Sequence, residues 1–272
     1  MIVYYNGKYI NERKVFISIK DRGLLLGDGL FETMLYRENK IILFNLHFYR
    51  LQNSLKRLSI KFDEKRISLQ KKILKIIKQN KLIDNKVSIR ITITRGNSKR
   101  GIDITPNVKP SLLITVNKLD KSLRMKPVKL CISETFRNET SVISQHKTIN
   151  YLENILSKNE AKKNQYDDAL FINFNKKICC SSTSNFFYSE RGKIYTPPLK
   201  DGVLNGTIRE ILISKKKVAV KSITLNNLKN CKEIFITNSL FGIRPVEKIE
   251  RFKFNIGQKT HEINDFLTKL GI

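Results

Sequence analysis

The sequence predicts an α+β fold in two domains, and three observations predict it. Strand-like and helix-like stretches follow one another in mixed order, whereas a doubly wound sheet would alternate them strictly. The 272 residues suffice for two cores of roughly 100–150 residues each. A polar stretch, Asn117 to Ser122, parts the two sets of elements, which sets the domains at residues 1–117 and 118–272.

In the first domain, Ile2–Tyr5 and Lys8–Ile10 flank Asn6-Gly7, a pair that favours a two-residue hairpin turn. Gly29 to Tyr36 reads as the next strand, turning through Arg37–Lys40 into Ile41–Phe44. Leu51, Leu55 and Leu58 form a helical stripe with His47 and Arg50 beside it. A second helix covers Ser68–Gln79, with Leu69, Ile73, Leu74, Ile76 and Ile77 inward. Ile89, Ile91 and Ile93 alternate with Arg90, Thr92 and Thr94, as in a half-buried strand. Arg95–Pro110 reads as a loop and Ser111–Val116 as a strand.

In the second domain, strands are expected near Val128–Ser133, Ala169–Phe174, Asn185–Tyr188, Ile194–Thr196, Val218–Ile223, Glu233–Thr237 and Arg244–Ile249. Helices are expected at Asn150–Lys163, where Ile149, Leu152, Ile155 and Leu156 recur at helical spacing, and at Thr207–Ser214 and His261–Leu270.

The formal charge of +28, from 52 Lys+Arg and 24 Asp+Glu, raises the question of nucleic acid. Most of the bases are interleaved with apolar positions, as on solvated faces. No zinc-finger spacing or RNP-like aromatic motif accompanies them, so no nucleic-acid partner is expected. A basic surface should instead draw in anionic metabolites in a salt-sensitive way. Cys131, Cys179, Cys180 and Cys231 include no C-x-x-C pair, and His47, His146 and His261 do not flank them at metal spacing, so no metal is expected. Neighbours on a strand point to opposite sides, so Cys179 and Cys180 are not expected to bridge one another. The start, Met1 to Gly7, lacks the pattern of a signal peptide. No stretch reaches the roughly 18 apolar residues that span a bilayer. A soluble protein of the reducing cytoplasm is expected, without a membrane partner.

Lys147 is the residue with the most informative context. It stands where a polar, turn-like segment, Asn138 to Gln145, gives way to a helical pattern. An amine can attack a carbonyl. Two later segments, Cys180-Ser181-Ser182-Thr183-Ser184-Asn185-Phe186-Phe187 and Gly202-Val203-Leu204-Asn205-Gly206-Thr207-Ile208-Arg209, suit an aromatic, phosphorylated cofactor. That order suggests a Schiff base from Lys147 to pyridoxal 5'-phosphate.

The ordered set resembles the class IV (fold-type IV) pyridoxal-phosphate enzymes, which include branched-chain and D-amino-acid aminotransferases and 4-amino-4-deoxychorismate lyase. It begins at Asp21-Arg22-Gly23 and Gly27-Asp28-Gly29-Leu30-Phe31-Glu32-Thr33 and ends at Thr237-Asn238-Ser239-Leu240-Phe241-Gly242-Ile243-Arg244-Pro245-Val246. The resemblance implies a two-domain fold like that of D-amino-acid aminotransferase, with Lys147 carried by the larger C-terminal domain. It implies that Lys147 is catalytic and that Arg50 is the phosphate-binding arginine, its planar fork matching a phosphate. Gly206-Thr207-Ile208-Arg209 resembles the family's Gly-Ile-Thr-Arg turn, whose N–H groups at Thr207 and Ile208 meet the phosphate at a helix start. The Ile-Thr order is reversed here, so binding at Ile208 must rest on the backbone. Thr237 matches a second hydroxyl contact to phosphate.

Cys180 falls where most of the family carries a glutamate against the pyridine nitrogen. A thiol with an ordinary pKa of ~8.5 is a poor substitute for that acid, so the reaction needs less electron withdrawal, another group serves, or activity is weak. Arg100 falls where D-amino-acid aminotransferases bind the substrate carboxylate, although their partner histidine is Ile102 here. Phe31 is expected to line the pocket.

The last motif looks more like the aminodeoxychorismate lyases than the Thr-Gly-Thr-Ala turn of branched-chain aminotransferases. The expected function is therefore a lyase of folate biosynthesis, giving 4-aminobenzoate and pyruvate from a small anionic amine. A branched-chain or D-amino-acid aminotransferase using 2-oxoglutarate is the alternative. A basic binding protein with a decayed site is a third, non-enzymatic reading. The resemblance also implies a homodimer.

Overall fold

The computed structural model describes residues 1–272. The chain forms two compact units, one of Met1–Lys121 with His146–Asn150 and one of Ser122–Gln145 with Tyr151–Ile272. Lys147 therefore packs with the first unit, whereas the sequence analysis assigns it to the C-terminal domain. The cause is backbone pairing across more than a hundred residues, which no local pattern encodes.

The first unit contains β1 (Ile2–Tyr5), β2 (Lys8–Asn11), α1 (Arg22–Leu26), β3 (Gly29–Arg37), β4 (Lys40–Ile41), α2 (Phe44–Arg57), α3 (Arg66–Gln79), β5 (Val87–Thr94) and β6 (Ser111–Lys118). Its six-stranded sheet runs β2-β1-β6-β5-β3-β4. The β1–β2 turn uses left-handed backbone at Asn6 (φ 44°) and Gly7 (φ 94°), the conformation such a hairpin requires. The expected strand Ile41–Phe44 is cut to β4 because Leu43 turns left-handed (φ 51°) and α2 starts at Phe44.

Alternation along the strands sorts the two sheet faces. Leu30, Met34, Ile89, Ile91, Ile93 and Ile114 cluster with Leu51, Leu55, Leu69, Ile73, Ile76 and Ile77 from α2 and α3. Burying each such side chain contributes roughly 1.5–3 kcal/mol. Phe31, Thr33, Arg90 and Thr92 alternate with these residues and lie on the opposite face of the sheet, in register with one another.

The second unit contains β7 (Val128–Ile132), α4 (Leu152–Lys163), β8 (Asp168–Ile172), β9 (Ile178–Ser181), β10 (Asn185–Glu190), β11 (Lys193–Thr196), α5 (Thr207–Ser214), β12 (Ala219–Val220), β13 (Ile234–Asn238), β14 (Gly242–Ile249), β15 (Phe252–Lys253) and α6 (Gln258–Lys269). The sheet runs β12-β11-β10-β13-β14-β7-β8-β9, and β9 returns to pair with β10. Six strands thereby close into a barrel filled by Val128, Leu130, Leu170, Phe186, Tyr188, Ile234, Ile236 and Val246. The closing pair is Asn185 opposite Cys180. Of the expected strand Val218–Ile223, only Ala219–Val220 forms a regular strand, β12.

Two expectations from periodicity are corrected. Leu170 pairs with Ser181 and Ile172 with Ile178, so a bulge sets both Cys179 and Cys180 against Phe171. Both thiols pack in one cluster with Phe171 and Val203 and do not point apart. In α4 the apolar stripe is outward: Leu152, Ile155 and Leu156 are 57–67% exposed, while Ser157 and Ala161 are buried. No helix is long and apolar enough to cross a membrane.

Candidate active site

Lys147 is set by main-chain hydrogen bonds. Phe31 N–H donates to Lys147 C=O at 2.9 Å and Ile149 N–H to Gly29 C=O at 3.1 Å, with Leu30 opposite Thr148. The segment is in effect a short extra strand on the outer edge of β3. The Asn150 side-chain amide donates to Gly27 C=O at 3.0 Å, which fastens the next residues too. Behind it, His146 Nδ1 and Ser54 Oγ are 2.9 Å apart.

The lysine's side chain turns to Phe31. Its Nζ lies 4.2 Å from the ring centroid, and the Arg90 guanidinium lies 3.9 Å from the same centroid. An aromatic face attracts cations, so Phe31 gathers two of them on the sheet face away from the core. Phe31 therefore lines the Lys147 group. The sequence analysis does not single out Arg90, which reads only as a polar residue in an alternating strand. Its register, opposite Thr33 and two places from the partner of Phe31, is what brings it to this group.

Glu32 alternates with Phe31 and points to the core face. Its carboxylate meets His47 Nδ1 at 2.6 Å, Arg50 Nε at 2.8 Å and Arg50 Nη2 at 2.6 Å. Burial pushes this acid up, but Arg50 and His47 outweigh it and hold it at about 2. A carboxylate only accepts, so His47 donates through Nδ1. Burial keeps His47 below its ordinary range against the pull of Glu32, aided by the charges of Arg50 and Lys147, which leaves the ring neutral. Arg50 thus has its Nε–Nη2 edge committed to Glu32. Arg100 is exposed on the loop 95–110. That loop is tied down by Arg22, whose guanidinium donates to the carbonyls of Gly101, Ile102 and Asp103 at 3.0–3.1 Å.

In the second unit, the start of α5 forms a cradle. Its first helical bond runs from Glu210 N–H to Gly206 C=O at 2.8 Å, so the N–H groups of Thr207, Ile208 and Arg209 lie outside the helical ladder. Gly206 is required by contact, since a Cβ there would sit 1.9 Å from Asn185 Oδ1. Asn185 Nδ2 donates to Leu204 C=O at 2.8 Å, and Arg209 Nη1 donates to Asn205 Oδ1 at 2.8 Å. These bonds fix the turn before α5.

Asn185 also lies opposite Thr237 on β13. Thr237 is 1% exposed, and its hydroxyl has no hydrogen-bond partner within the protein. An unpartnered buried hydroxyl on the same cross-strand row as Asn185, itself in contact with the α5 turn, suits an anion that carries its own acceptors. Ile208 is 2% exposed and offers only its backbone. The residues present fit a phosphate group.

Cys180 completes that row opposite Asn185. Burial pushes its thiol up, against the pull of Arg137, so it stays protonated and uncharged near neutral pH. Asp168, the acid closest in influence, is already bonded to Ser182 Oγ and to Ala169 N–H. Arg137 is the second residue missed. Its guanidinium stacks 4.2 Å from the Phe171 centroid, and its Nε is buried without a partner. Nothing in its surroundings, Phe136-Arg137-Asn138, marks it, because its place is set by main-chain pairing with the distant Ile172 and Asn173.

Residues 29–249 match the family model of class IV amino-transferases. The chain is 29% identical to an aminodeoxychorismate lyase of Bacillus subtilis, over 99% of this chain and 93% of that protein. It is 27% identical to a D-alanine aminotransferase of Staphylococcus epidermidis, over 94% of this chain and 92% of that protein. A branched-chain amino acid aminotransferase structure from Escherichia coli superposes with a TM-score of 0.92 at 19% identity, over 99% of this chain and 94% of that one.

Proposed function

The chain belongs to the class IV aminotransferases, enzymes that depend on pyridoxal phosphate, and from that premise we propose that it is a 4-amino-4-deoxychorismate lyase. The observation that carries this reading is Cys180, a half-buried neutral thiol at the position where the family resemblance calls for an acid. Bound pyridoxal phosphate supplies an electron sink conjugated to the substrate nitrogen. A neutral partner for the pyridine nitrogen weakens that sink. Elimination tolerates the weakness, because loss of pyruvate leaves an aromatic ring whose formation drives the step. Transamination has no such product and needs the sink throughout.

In this reading Lys147 would hold the cofactor aldehyde, and its amine, freed once the substrate amine has taken its place, would take the ring C–H proton. The N–H groups of Thr207 and Ile208, the Thr237 hydroxyl and Arg50 hold the phosphate. Arg90 attracts a substrate carboxylate and orients it over the sheet face that carries Phe31, with Arg100 as a further anion contact. The substrate is accordingly a small anionic amine.

A second copy of this chain is the proposed cover for the exposed apolar residues Phe16, Ile19, Leu24 and Leu25 of the first unit. The four cysteines are free, in keeping with a proposed cytoplasmic setting.

The test is a product assay on purified enzyme, joined to borohydride trapping. Release of 4-aminobenzoate and pyruvate from 4-amino-4-deoxychorismate, with the pyridoxyl label on Lys147, is expected. Conversion of 2-oxoglutarate to glutamate at a comparable rate would make the chain an aminotransferase instead. A label on any other side chain would remove Lys147 from the mechanism.

A further inference from the structure

We propose that Glu32 and His47 are positioning residues that set Arg50 for the cofactor phosphate without touching the cofactor themselves. This rests on the reading of Arg50 as a phosphate ligand and adds two residues that the family pattern does not assign here.

The geometry is a buried brace within the first unit. Glu32 and His47 side chains are each 2% exposed, and that of Arg50 is 14% exposed. Glu32 is the odd residue on its sheet face, an acid among Leu30, Met34 and the isoleucines of β5. A buried carboxylate is costly unless it is paired on more than one side. Here both oxygens are taken, Oε1 by Arg50 Nε and Oε2 by Arg50 Nη2 and His47. That carboxylate holds one edge of the guanidinium fork. The fork is planar, so fixing the Nε–Nη2 edge also fixes the direction of the Nη1–Nη2 end, where a phosphate would take its two bonds.

His47 keeps Glu32 from rotating. Its Nδ1–H holds Oε2 from α2, one turn before Arg50 on the same helix. The carboxylate is therefore pinned at two points on one helix face and cannot swing with the arginine. The charged groups felt by His47 are Glu32, Arg50 and Lys147.

The test compares affinity for pyridoxal phosphate with affinity for pyridoxal, which lacks the phosphate, by equilibrium dialysis. Arg50→Ala should lower the preference for the phosphorylated form about tenfold or more. Glu32→Gln and His47→Asn should lower it by a smaller factor, with pyridoxal affinity unchanged. In an Arg50→Ala background neither should lower it further. Poor folding would weaken both ligands alike, so the ratio isolates the phosphate. His47→Asn replaces the ring by a shorter amide that rotates freely and no longer pins Oε2, and it serves if Glu32→Gln does not fold. If Arg50→Ala leaves the ratio at the wild-type value, the phosphate reading fails and the brace with it. If the ratio responds to Arg50 but Glu32→Gln or His47→Asn changes it equally with or without Arg50, only the brace is refuted.

Discussion

Gly206→Ala isolates the cradle at the start of α5. The backbone at Gly206 (φ −64°, ψ 147°) accepts alanine without strain, so any effect is steric. The new Cβ would lie 1.9 Å from Asn185 Oδ1, about 1.1 Å short of the 3.0 Å that real Cβ contacts need. Asn185 is 7% exposed and its amide is bonded to Leu204 C=O at 2.8 Å, so it cannot move without losing that bond. Overpacking of this kind costs about 1–3 kcal/mol, and a lost hydrogen bond adds roughly 1 kcal/mol. A loss of at least about 2 kcal/mol lowers the melting midpoint by at least about 4 °C for a chain of this size. Affinity for pyridoxal phosphate should drop about tenfold as the N–H groups of Thr207 and Ile208 shift. Thermal denaturation and equilibrium dialysis measure the two effects. In an Asn185→Ala background the same change should cost little, because the clashing oxygen is gone. Wild-type melting and affinity for Gly206→Ala alone would refute the steric reasoning.

Two further predictions concern ionisation. Glu32 is held at about 2, below its ordinary 4.5, so its stabilising effect is complete above about 4.5 and is lost as pH falls toward 2. The shift corresponds to roughly 3 kcal/mol as an order of magnitude. Wild-type protein should therefore lose stability faster than Glu32→Gln over that window in acid-unfolding curves; parallel curves would mean the pairing is not stabilising. Cys180→Glu should raise transamination relative to elimination, read as glutamate against 4-aminobenzoate formed by one preparation. An unchanged product ratio would show that the thiol does not limit the electron sink.

What the sequence made legible was whatever depends on neighbours along the chain. Thr207–Ser214 was readable to the residue because its apolar positions and the preceding Gly206 are local signals. Lys147 was readable through its motif, but not its membership of the first unit, which depends on pairing with Gly29 and Phe31. Arg90 and Arg137 escaped for the same reason. One is placed by strand register and the other by main-chain pairing with Ile172 and Asn173, and neither leaves a trace in its own segment. The α4 stripe misled because periodicity reports an apolar face without saying what covers it.

The extra strand formed by residues 147–149 has a consequence for synthesis on the ribosome. When residue 121 has emerged, the first unit still lacks His146–Asn150, and the Gly29–Phe31 edge of β3 has nothing to bond. An open strand edge is a template for the wrong chain. Nascent polypeptide must therefore pass through an interval in which its amino-terminal half is assembled but not sealed. A fragment truncated at Lys121 would remain in that state permanently, so the two halves cannot be separated by a single cut.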